Sequence, residues 1–258
     1  MVEGNDWTIV GRQAVMEALL RVPETVEAVL IQETRKKDVQ PVLALCRQAG
    51  IKYQFVPKNK LDSLSHSAHQ GYVARCFQPG FVPSETLLDS VSAARFPVLV
   101  ALDQIQDSGN VGTLARTLYA LGGAGMVLLR HRGVSLGQRA HKAAAGALSL
   151  LPISRIQNMA RFLTACQERN LGTYYAGTDT NCVDIFSLPL IHPAVLVLGN
   201  EEKGVRPLVA KSCLAGVTLP MSGAFDSLNV AQAGSMLLTE FFRQHLEKQQ
   251  RKSREAGK

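Results

Sequence analysis

The sequence predicts an α/β protein whose larger part is a mainly parallel sheet covered by helices. Apolar segments of strand length alternate with segments of helical spacing along most of the chain, which is typical of βα units. Polar, glycine-containing loops follow three of the predicted strands. Because ligands bind at the carboxyl ends of strands in open α/β sheets, these loops also predict a binding site.

The first part of the chain, to about residue 78, predicts a small α/β domain. Helical spacing occurs at Arg12–Leu20 and Val39–Ala49, which end before Pro23 and Gly50 respectively. The strand-like segments are Val26–Ile31, Tyr53–Val56 and Tyr72–Cys76. We therefore expect a domain over residues 1–78.

A change of composition then predicts a domain boundary. Residues 78–84 contain two prolines and a glycine, which disfavour both helix and strand. We expect a linker over residues 79–96, with a short helix within Leu87–Ala94 before Pro97.

From residue 97 the alternation of strands and helices resumes and predicts a second domain over residues 97–246. Its predicted strands are Val98–Leu102, Gly125–Leu129, Gly172–Ala176, Ala194–Leu198 and Gly216–Leu219. Its predicted helices lie near 111–121, 138–147, 158–169 with Asn158 as the N-cap, 206–212 and 229–245. Residues 247–258 form a basic tail, for which a frayed terminus and an added contact to RNA phosphates are both open.

Composition favours a globular protein with a polyanionic partner. The 258 residues are 46% hydrophobic and 19% charged, and the longest apolar runs have the length of strands, so no membrane span or membrane partner is expected. The net charge of +7 is compatible with binding to nucleic acid.

Cysteine and histidine usage predicts a cytoplasmic protein without a metal site. The five cysteines are scattered, with no Cys-x-x-Cys pair, which is typical of free thiols in a reducing compartment. The six histidines are dispersed, and no carboxylate or cysteine cluster completes a site around His66 and His69. Residues 1–7 lack the pattern of a secretion signal.

The three polar loops are Asp103–Gly112, Leu198–Gly204 and Leu219–Val230. In the third, a strand stops at Pro220, a turn of small residues follows, and Ser227 and Asn229 offer N-terminal caps to a helix. Free backbone N–H groups at such a helix start can hold a polar ligand or a phosphate. A plain strand–turn–helix explains the third loop alone equally well.

Rival nucleotide-binding motifs are incomplete. Gly199 and Gly204 have the spacing of a P-loop, but Val205 and Arg206 replace the Lys-Ser/Thr pair that such a loop needs. No Gly-x-Gly-x-x-Gly follows a predicted strand. A Rossmann methyltransferase and an ATPase are therefore disfavoured.

In order and spacing, the three loops resemble the motifs of the SpoU (TrmH-like) 2′-O-ribose RNA methyltransferases of the SPOUT superfamily. The resemblance runs from Val98 to Gln244 and continues through His141–Ala147 and Asn158–Arg161, while Gly11–Leu19 is similar to the start of the substrate-binding domain of the bacterial ribosomal-RNA members. It implies a deep trefoil knot at about residues 194–245 and an N-terminal domain similar to ribosomal protein L30e. The sequence departs from the family pattern at Ser108, Glu202 and Ala231.

The resemblance also implies a reaction and its residues. The expected reaction is methyl transfer from S-adenosylmethionine to a ribose 2′-hydroxyl of rRNA, in particular a guanosine of 23S rRNA. The implied catalytic set is Arg116, Asn110, Glu201, Ser227 and Asn229, in which Asn110 fixes the loop or Arg116, and Glu201 pairs with Arg116 or caps a turn. The implied cofactor contacts are Leu198, Gly199, Leu219, Leu228 and, more weakly, Thr178.

The implied partners are RNA, rRNA above all, and a second copy of the chain; DNA is not expected. The homodimer would use the knot region and the last helix, where Met236, Leu237, Phe241 and Phe242 form an apolar face. Two alternatives stay open. One is the same reaction on tRNA or another rRNA nucleoside, and the other is an inactive RNA-binding factor in ribosome assembly.

Overall fold

The computed structural model describes residues 8–23, 26–35, 39–65, 68–76, 81–131, 133–134, 136, 138–223 and 227–256. Five features named above lie outside this part of the chain: residues 1–7, His66, the boundary residues 78–80, residues 224–226 of the third loop, and residues 257–258 of the basic tail.

The strands are β1 Thr8–Val10, β2 Val26–Gln32, β3 Lys52–Val56, β4 Tyr72–Cys76, β5 Phe96–Asp103, β6 Gly123–Leu129, β7 Ile153–Ile156, β8 Gly172–Ala176, β9 Cys182–Asp184, β10 Ala194–Gly199 and β11 Ala215–Thr218. The helices are α1 Arg12–Arg21, α2 Gln40–Gln48, α3 Lys58–Leu64, α4 Ser84–Ser90, α5 Ser108–Ala120, α6 Gln138–Ala144, α7 Ala147–Leu150, α8 Met159–Glu168, α9 Pro207–Lys211 and α10 Val230–Ala256. Short 3₁₀ turns lie at Glu33–Arg35 and Val91–Ala93.

The N-terminal part is a mixed sheet in the order β1-β4-β2-β3. Strand β2 is parallel to β3 and antiparallel to β4. Alternate residues of β2 face opposite sides: Ile31 packs with the residues of α1 and α2, whereas Leu30 packs with Leu61 of α3. Helices therefore cover both faces, which confirms an α/β unit here.

The larger part is a seven-stranded sheet in the order β7-β6-β5-β10-β8-β11-β9. Every pairing in it is parallel, so the predicted parallel sheet is confirmed. Strand β5 is buried throughout. Val100 packs on the side of α5 and α10, and Ala101 on the side of α4 and α8, which explains why the strand is a continuous apolar run.

The strand order brings the three polar loops to one edge of the sheet. Strand β10 lies between β5 and β8, so the chain crosses the sheet to place β10 beside the first strand of this part. The loops after β5, β10 and β11 consequently leave the carboxyl edge close together, as expected for a ligand site.

Several element boundaries differ from the predictions. Helix α5 begins at Ser108, three residues early, because the Asp107 carboxylate accepts a hydrogen bond from the Gly109 N–H at 2.7 Å and caps it. The short elements β1, α3, β7 and β9 were not predicted, since three to seven residues carry little periodic signal. The predicted cap of α8 is confirmed, with the Asn158 oxygen 3.1 Å from the Arg161 nitrogen.

The segment predicted as a linker is folded onto the large sheet from Phe81 onward. Phe81 forms a bridge with Ile153 of β7, and Leu87, Leu88 and Val91 are buried in the core beneath the sheet. The apolar residues of α4 therefore pack into the core of the larger part, and α4 does not act as a spacer between domains.

Helix α10 packs along the chain's own core and continues to Ala256, so most of the basic tail is helical. Leu237 and Phe241 are buried, and the Phe241 ring meets Tyr174 edge-on at 5.5 Å. Of the four apolar residues named above, only Met236 is largely exposed, at 56%. Most of this face is buried within one chain, so it does not itself support a homodimer through the knot region and the last helix, which stays a prediction.

We expect Phe241→Ala to lower the free energy of unfolding by about 3–5 kcal/mol, because it leaves a cavity between α10 and β8. Urea unfolding followed by circular dichroism measures this change. Met236→Ala on the same helix is the matched control, with an expected change within about 0.5 kcal/mol. Equal losses in the two variants would contradict the packing described for α10.

Candidate active site

The loop after β10 is fastened to the loop after β5 by an ion pair between a buried carboxylate and a half-buried arginine. Asp103, the last residue of β5, is fully buried, and Arg206 reaches it from the start of α9. The Arg206 Nη2 lies 2.6 Å from Asp103 Oδ1, its Nε 3.0 and 3.1 Å from the two oxygens, and its backbone N–H donates to Oδ2 at 3.0 Å. Four charge-assisted contacts satisfy the buried carboxylate.

Asn200 stabilises the turn of the loop after β10 and joins that loop to the loop after β5. Its Oδ1 accepts hydrogen bonds from the N–H groups of Glu202 and Lys203, both at 3.1 Å, and its Nδ2 donates to the Gln104 carbonyl at 3.0 Å. The backbones of Asn200 and Gly204 also exchange two hydrogen bonds. A Cβ on Gly199 would lie 2.2 Å from the carbonyl carbon of Gly204, so only glycine permits this close return of the chain.

Glu201 fixes the entrance to α5. Its carboxylate accepts hydrogen bonds from the backbone N–H groups of Gln106 and Asp107, both at 3.1 Å, and from the Asn110 side chain at 3.0 Å. Partial burial acts to raise the pKa of Glu201, but the hydrogen bonds from Asn110 and the backbone outweigh it and hold the pKa below its ordinary value.

Asn110 and Asn229 join the first and third loops. The Asn229 Nδ2 donates to Asn110 Oδ1 at 3.1 Å, while Asn110 in turn donates to Glu201. Asn229 also caps α10, because its Oδ1 accepts from the N–H groups of Ala231 and Gln232 at 2.9 and 3.3 Å. One chain of side-chain hydrogen bonds therefore connects all three loops.

Arg116 lies on α5, and its side chain is exposed. Within the part of the chain that the structure describes, no hydrogen bond or ion pair engages its guanidinium. Of the two roles expected for Glu201, pairing with Arg116 is not observed, because the carboxylate is taken up by Asn110 and two backbone N–H groups. Asn110 serves loop geometry, which was one of its two expected roles, rather than Arg116.

A cleft of about 210 Å³ opens between the carboxyl ends of β10 and β8. The two strands are paired only as far as Val197 and Tyr175, so the backbone at Leu198 and Gly199 faces the opening. All five expected cofactor residues line it, together with two of the expected catalytic residues: Thr178, Leu198, Gly199, Leu219, Leu228, Glu201 and Ser227. Its far wall is the start of α10, with Val230, Ala233 and Leu237.

Ser227 is exposed at the rim of this cleft. Ser227 and Asn229 were both candidates for the N-cap of α10. Among the residues that the structure describes, only Asn229 makes the capping hydrogen bonds, so Asn229 is the cap. The sequence analysis missed Asp103, Arg206 and Asn200. A carboxylate directly after an apolar strand was the available signal for Asp103, because such a group needs a partner; nothing in the spacing indicated Arg206 as that partner.

Comparisons with known proteins identify the family of this chain. Residues 97–239 match the SpoU rRNA Methylase family, and residues 8–82 match a domain described as RNA 2′-O ribose methyltransferase substrate binding. A Bacillus subtilis (strain 168) protein named as a TrmH family tRNA/rRNA methyltransferase, YacO, is 32% identical over 237 residues, covering 91% of this chain and 94% of the relative. The chain therefore belongs to the SpoU/TrmH family of RNA methyltransferases.

Solved structures show the same fold. The SpoU methyltransferase AviRb from Streptomyces viridochromogenes, in complex with the cofactor AdoMet, aligns with a TM-score of 0.72 at 23% identity, covering 94% of this chain and 91% of that chain. An AdoMet-bound rRNA methyltransferase from Sinorhizobium meliloti aligns with a TM-score of 0.66 at 23% identity, covering 92% and 87% respectively.

We expect Arg206→Ala to lower the free energy of unfolding by about 3 kcal/mol, because it leaves the buried Asp103 carboxylate without a counter-ion. Chemical denaturation at pH 7 measures the loss. Lys203→Ala removes an exposed cation from the same loop and should stay within about 0.5 kcal/mol of the wild type. A wild-type stability for Arg206→Ala would show that the pair does not hold the loop.

The Glu201 carboxylate should stabilise the fold in a pH-dependent way. Because its pKa is lowered in the folded chain, its contribution is present above the unfolded-state pKa of about 4.3 and is lost as the pH falls through the folded pKa. Glu201→Gln should therefore melt below the wild type at pH 7, and the difference in Tm should shrink towards pH 3. Glu202→Gln, on the exposed neighbour, should track the wild type; a constant Tm difference for Glu201→Gln would contradict the assignment.

Proposed function

We propose that this chain transfers the methyl group of S-adenosylmethionine to a ribose 2′-hydroxyl of rRNA. The observation that carries the proposal is the hydrogen-bonded chain Glu201–Asn110–Asn229, which joins three loops at the rim of a cleft. Methyl transfer requires donor and acceptor to be held in line within one site, and three joined loops at one cleft can supply that positioning.

The cleft suits the cofactor S-adenosylmethionine. Its wall is mostly apolar, from Leu198, Leu219 and Leu228, and the backbone at Leu198 and Gly199 is released from strand pairing on the β8 side. An adenine ring requires a narrow apolar slot with backbone donors and acceptors at its edge, and polar groups at Thr178 and Ser227 lie at the opening. The bound cofactor supplies an activated methyl group on a sulfonium centre.

The residues of this chain then have separate tasks. Asn110 and Glu201 act as positioning residues that hold the start of α5, the helix that carries Arg116. Arg116 presents an exposed guanidinium, and we propose that it clamps a phosphate next to the target ribose, because an arginine is normally fully protonated and makes a poor base. Ser227 and Asn229 would contact the substrate from the third loop, with Asn229 oriented by Asn110.

The finer assignments follow the resemblance. We propose a guanosine of 23S rRNA as the target, an L30e-like fold for the N-terminal domain, a trefoil knot over about residues 194–245, and a homodimer. Five free thiols support the cytoplasm as the location. The basic residues near the C-terminus would extend the contact with RNA phosphates.

The first experiment is methyl transfer from labelled S-adenosylmethionine to unmethylated 23S rRNA, 16S rRNA and bulk tRNA, with the modified position mapped. We expect label on one ribose of 23S rRNA. Label on tRNA alone would keep the reaction and overturn the target. No label on any RNA, with cofactor binding intact, would favour the inactive assembly factor.

In the same assay, Arg116→Ala should lower the rate of methyl transfer at least about 100-fold, because substrate positioning is lost at the reacting group. Calorimetric binding of S-adenosylmethionine should be unchanged. Arg161→Ala, an exposed arginine on α8, is the control and should keep wild-type activity. Full activity of Arg116→Ala would remove this residue from the catalytic site.

A further inference from the structure

Helix α6 carries an arginine that reaches the first turn of α5. The Arg139 Nη2 donates a hydrogen bond to Asp107 Oδ2 at 2.9 Å. The other oxygen of the same carboxylate, Oδ1, accepts from the Gly109 N–H at 2.7 Å and caps α5. One carboxylate therefore joins the two helices, because each of its oxygens is bonded to a different one.

Asp107 also belongs to the network that joins the three loops of the cleft. Its backbone N–H donates to Glu201 Oε1 at 3.1 Å, and the same oxygen accepts from the Asn110 Nδ2 at 3.0 Å. The hydrogen-bonded chain Glu201–Asn110–Asn229 therefore extends through Asp107 to Arg139. Helix α6, which contributes no residue to the described lining of the cleft, is tied in this way to the residues around it.

The two helices are in backbone contact just beyond the ion pair. A Cβ on Gly112 would lie 2.2 Å from the Ala140 carbonyl oxygen and 2.8 Å from the Ala143 Cβ, so only glycine permits this approach. A Cβ on Gly109 would lie 3.1 Å from Arg139 Nε. Arg139 therefore lies over the first turn of α5, at the end of the helix contact that is nearest the joined loops.

The face of α5 that Arg139 covers is the face that carries Arg116. Gly109 and Arg116 are seven positions apart, and positions i and i+7 of an α-helix lie on the same side, about 10 Å apart along the axis. A change in the direction of the first turn of α5 would consequently alter where the Arg116 guanidinium lies.

The ion pair is too exposed to matter much for folding. The Arg139 side chain is 73% exposed and that of Asp107 35%, and exposed pairs of this kind contribute little to stability because water and salt screen them. An effect of Arg139 on the reaction would therefore arise from the geometry of α5 and would leave the fold intact.

We propose that Arg139 is a positioning residue for methyl transfer. By holding Asp107 it sets the first turn of α5, and through that turn it sets the place of Arg116. The inference rests on the proposed function for the reaction itself. Arg139 acts through Asp107 and does not touch the cofactor or the ribose.

The first test is the kinetics of Arg139→Ala in the full chain. We expect kcat at saturating 23S rRNA to fall about fivefold to tenfold, because a small misplacement of a substrate-holding group slows the reaction. KM for RNA, affinity for S-adenosylmethionine and Tm should stay at wild-type values. Arg139→Lys should recover at least about half of the rate, since the pair uses a single charged donor that lysine can supply. Arg161→Ala loses the same charge on α8 and is the control.

A double-mutant cycle asks whether Arg139 acts through Asp107. Asp107→Asn keeps a good N-cap residue but removes the charge that Arg139 binds. Arg139→Ala should then lower kcat less than about twofold further in the Asp107→Asn background, because the interaction is already lost. Losses of kcat that multiply would overturn the inference, as would a rise in KM with kcat unchanged, which would assign Arg139 to direct contact with RNA.

Hydrogen exchange separates this inference from the proposed function, because it needs neither RNA nor turnover. Amides of residues 109–112 should exchange faster in Arg139→Ala than in the wild type, and at the wild-type rate in Arg161→Ala. Unchanged exchange in Arg139→Ala would overturn the inference even if the wild-type chain methylates RNA. If the wild-type chain methylates no RNA, the proposed function fails, and the exchange rates still decide whether Arg139 holds α5.

Discussion

The site depends on the contact between a buried carboxylate and an arginine about a hundred positions further along the chain. Asp103 ends a strand that is buried on both faces, so its charge lies where water cannot solvate it. Arg206 neutralises it with its guanidinium and its backbone N–H. The loop between β10 and α9 is thereby drawn against the loop after β5, and Asn200 and Glu201 in that loop reach their partners only because of this closure.

The closure of this loop also explains why Glu201 is better understood as a structural residue that holds the loops together than as a base in the reaction. Glu201 accepts three hydrogen bonds, and they hold its pKa below the ordinary range despite partial burial. A carboxylate of lowered pKa is a weaker base, so Glu201 is suited to holding the start of α5. Arg116, which lies on that helix, keeps an exposed side chain, as the proposed phosphate clamp requires.

The two parts of the chain present different chemistry to an RNA. The large sheet offers a narrow, mainly apolar cleft at the point where β8 and β10 separate. The N-terminal sheet offers a wider polar cavity with Arg35 and Lys58 at its rim. Under the proposed function, one part would hold the methyl donor beside the reacting ribose and the other would contribute affinity for RNA.

The residues that line the cleft were implied by the resemblance to the SpoU family. The sequence by itself determined the class of fold, most strands and helices of the larger domain and the capping by Asn158. These last features are local, because strand length, helical spacing and capping residues are read from neighbouring positions. Only the tertiary structure decided the partners. Glu201 binds Asn110 instead of Arg116, α10 buries Phe241 within its own chain, and the segment from Phe81 packs under the large sheet, because each of these depends on contacts between residues far apart in sequence, for which spacing carries no information.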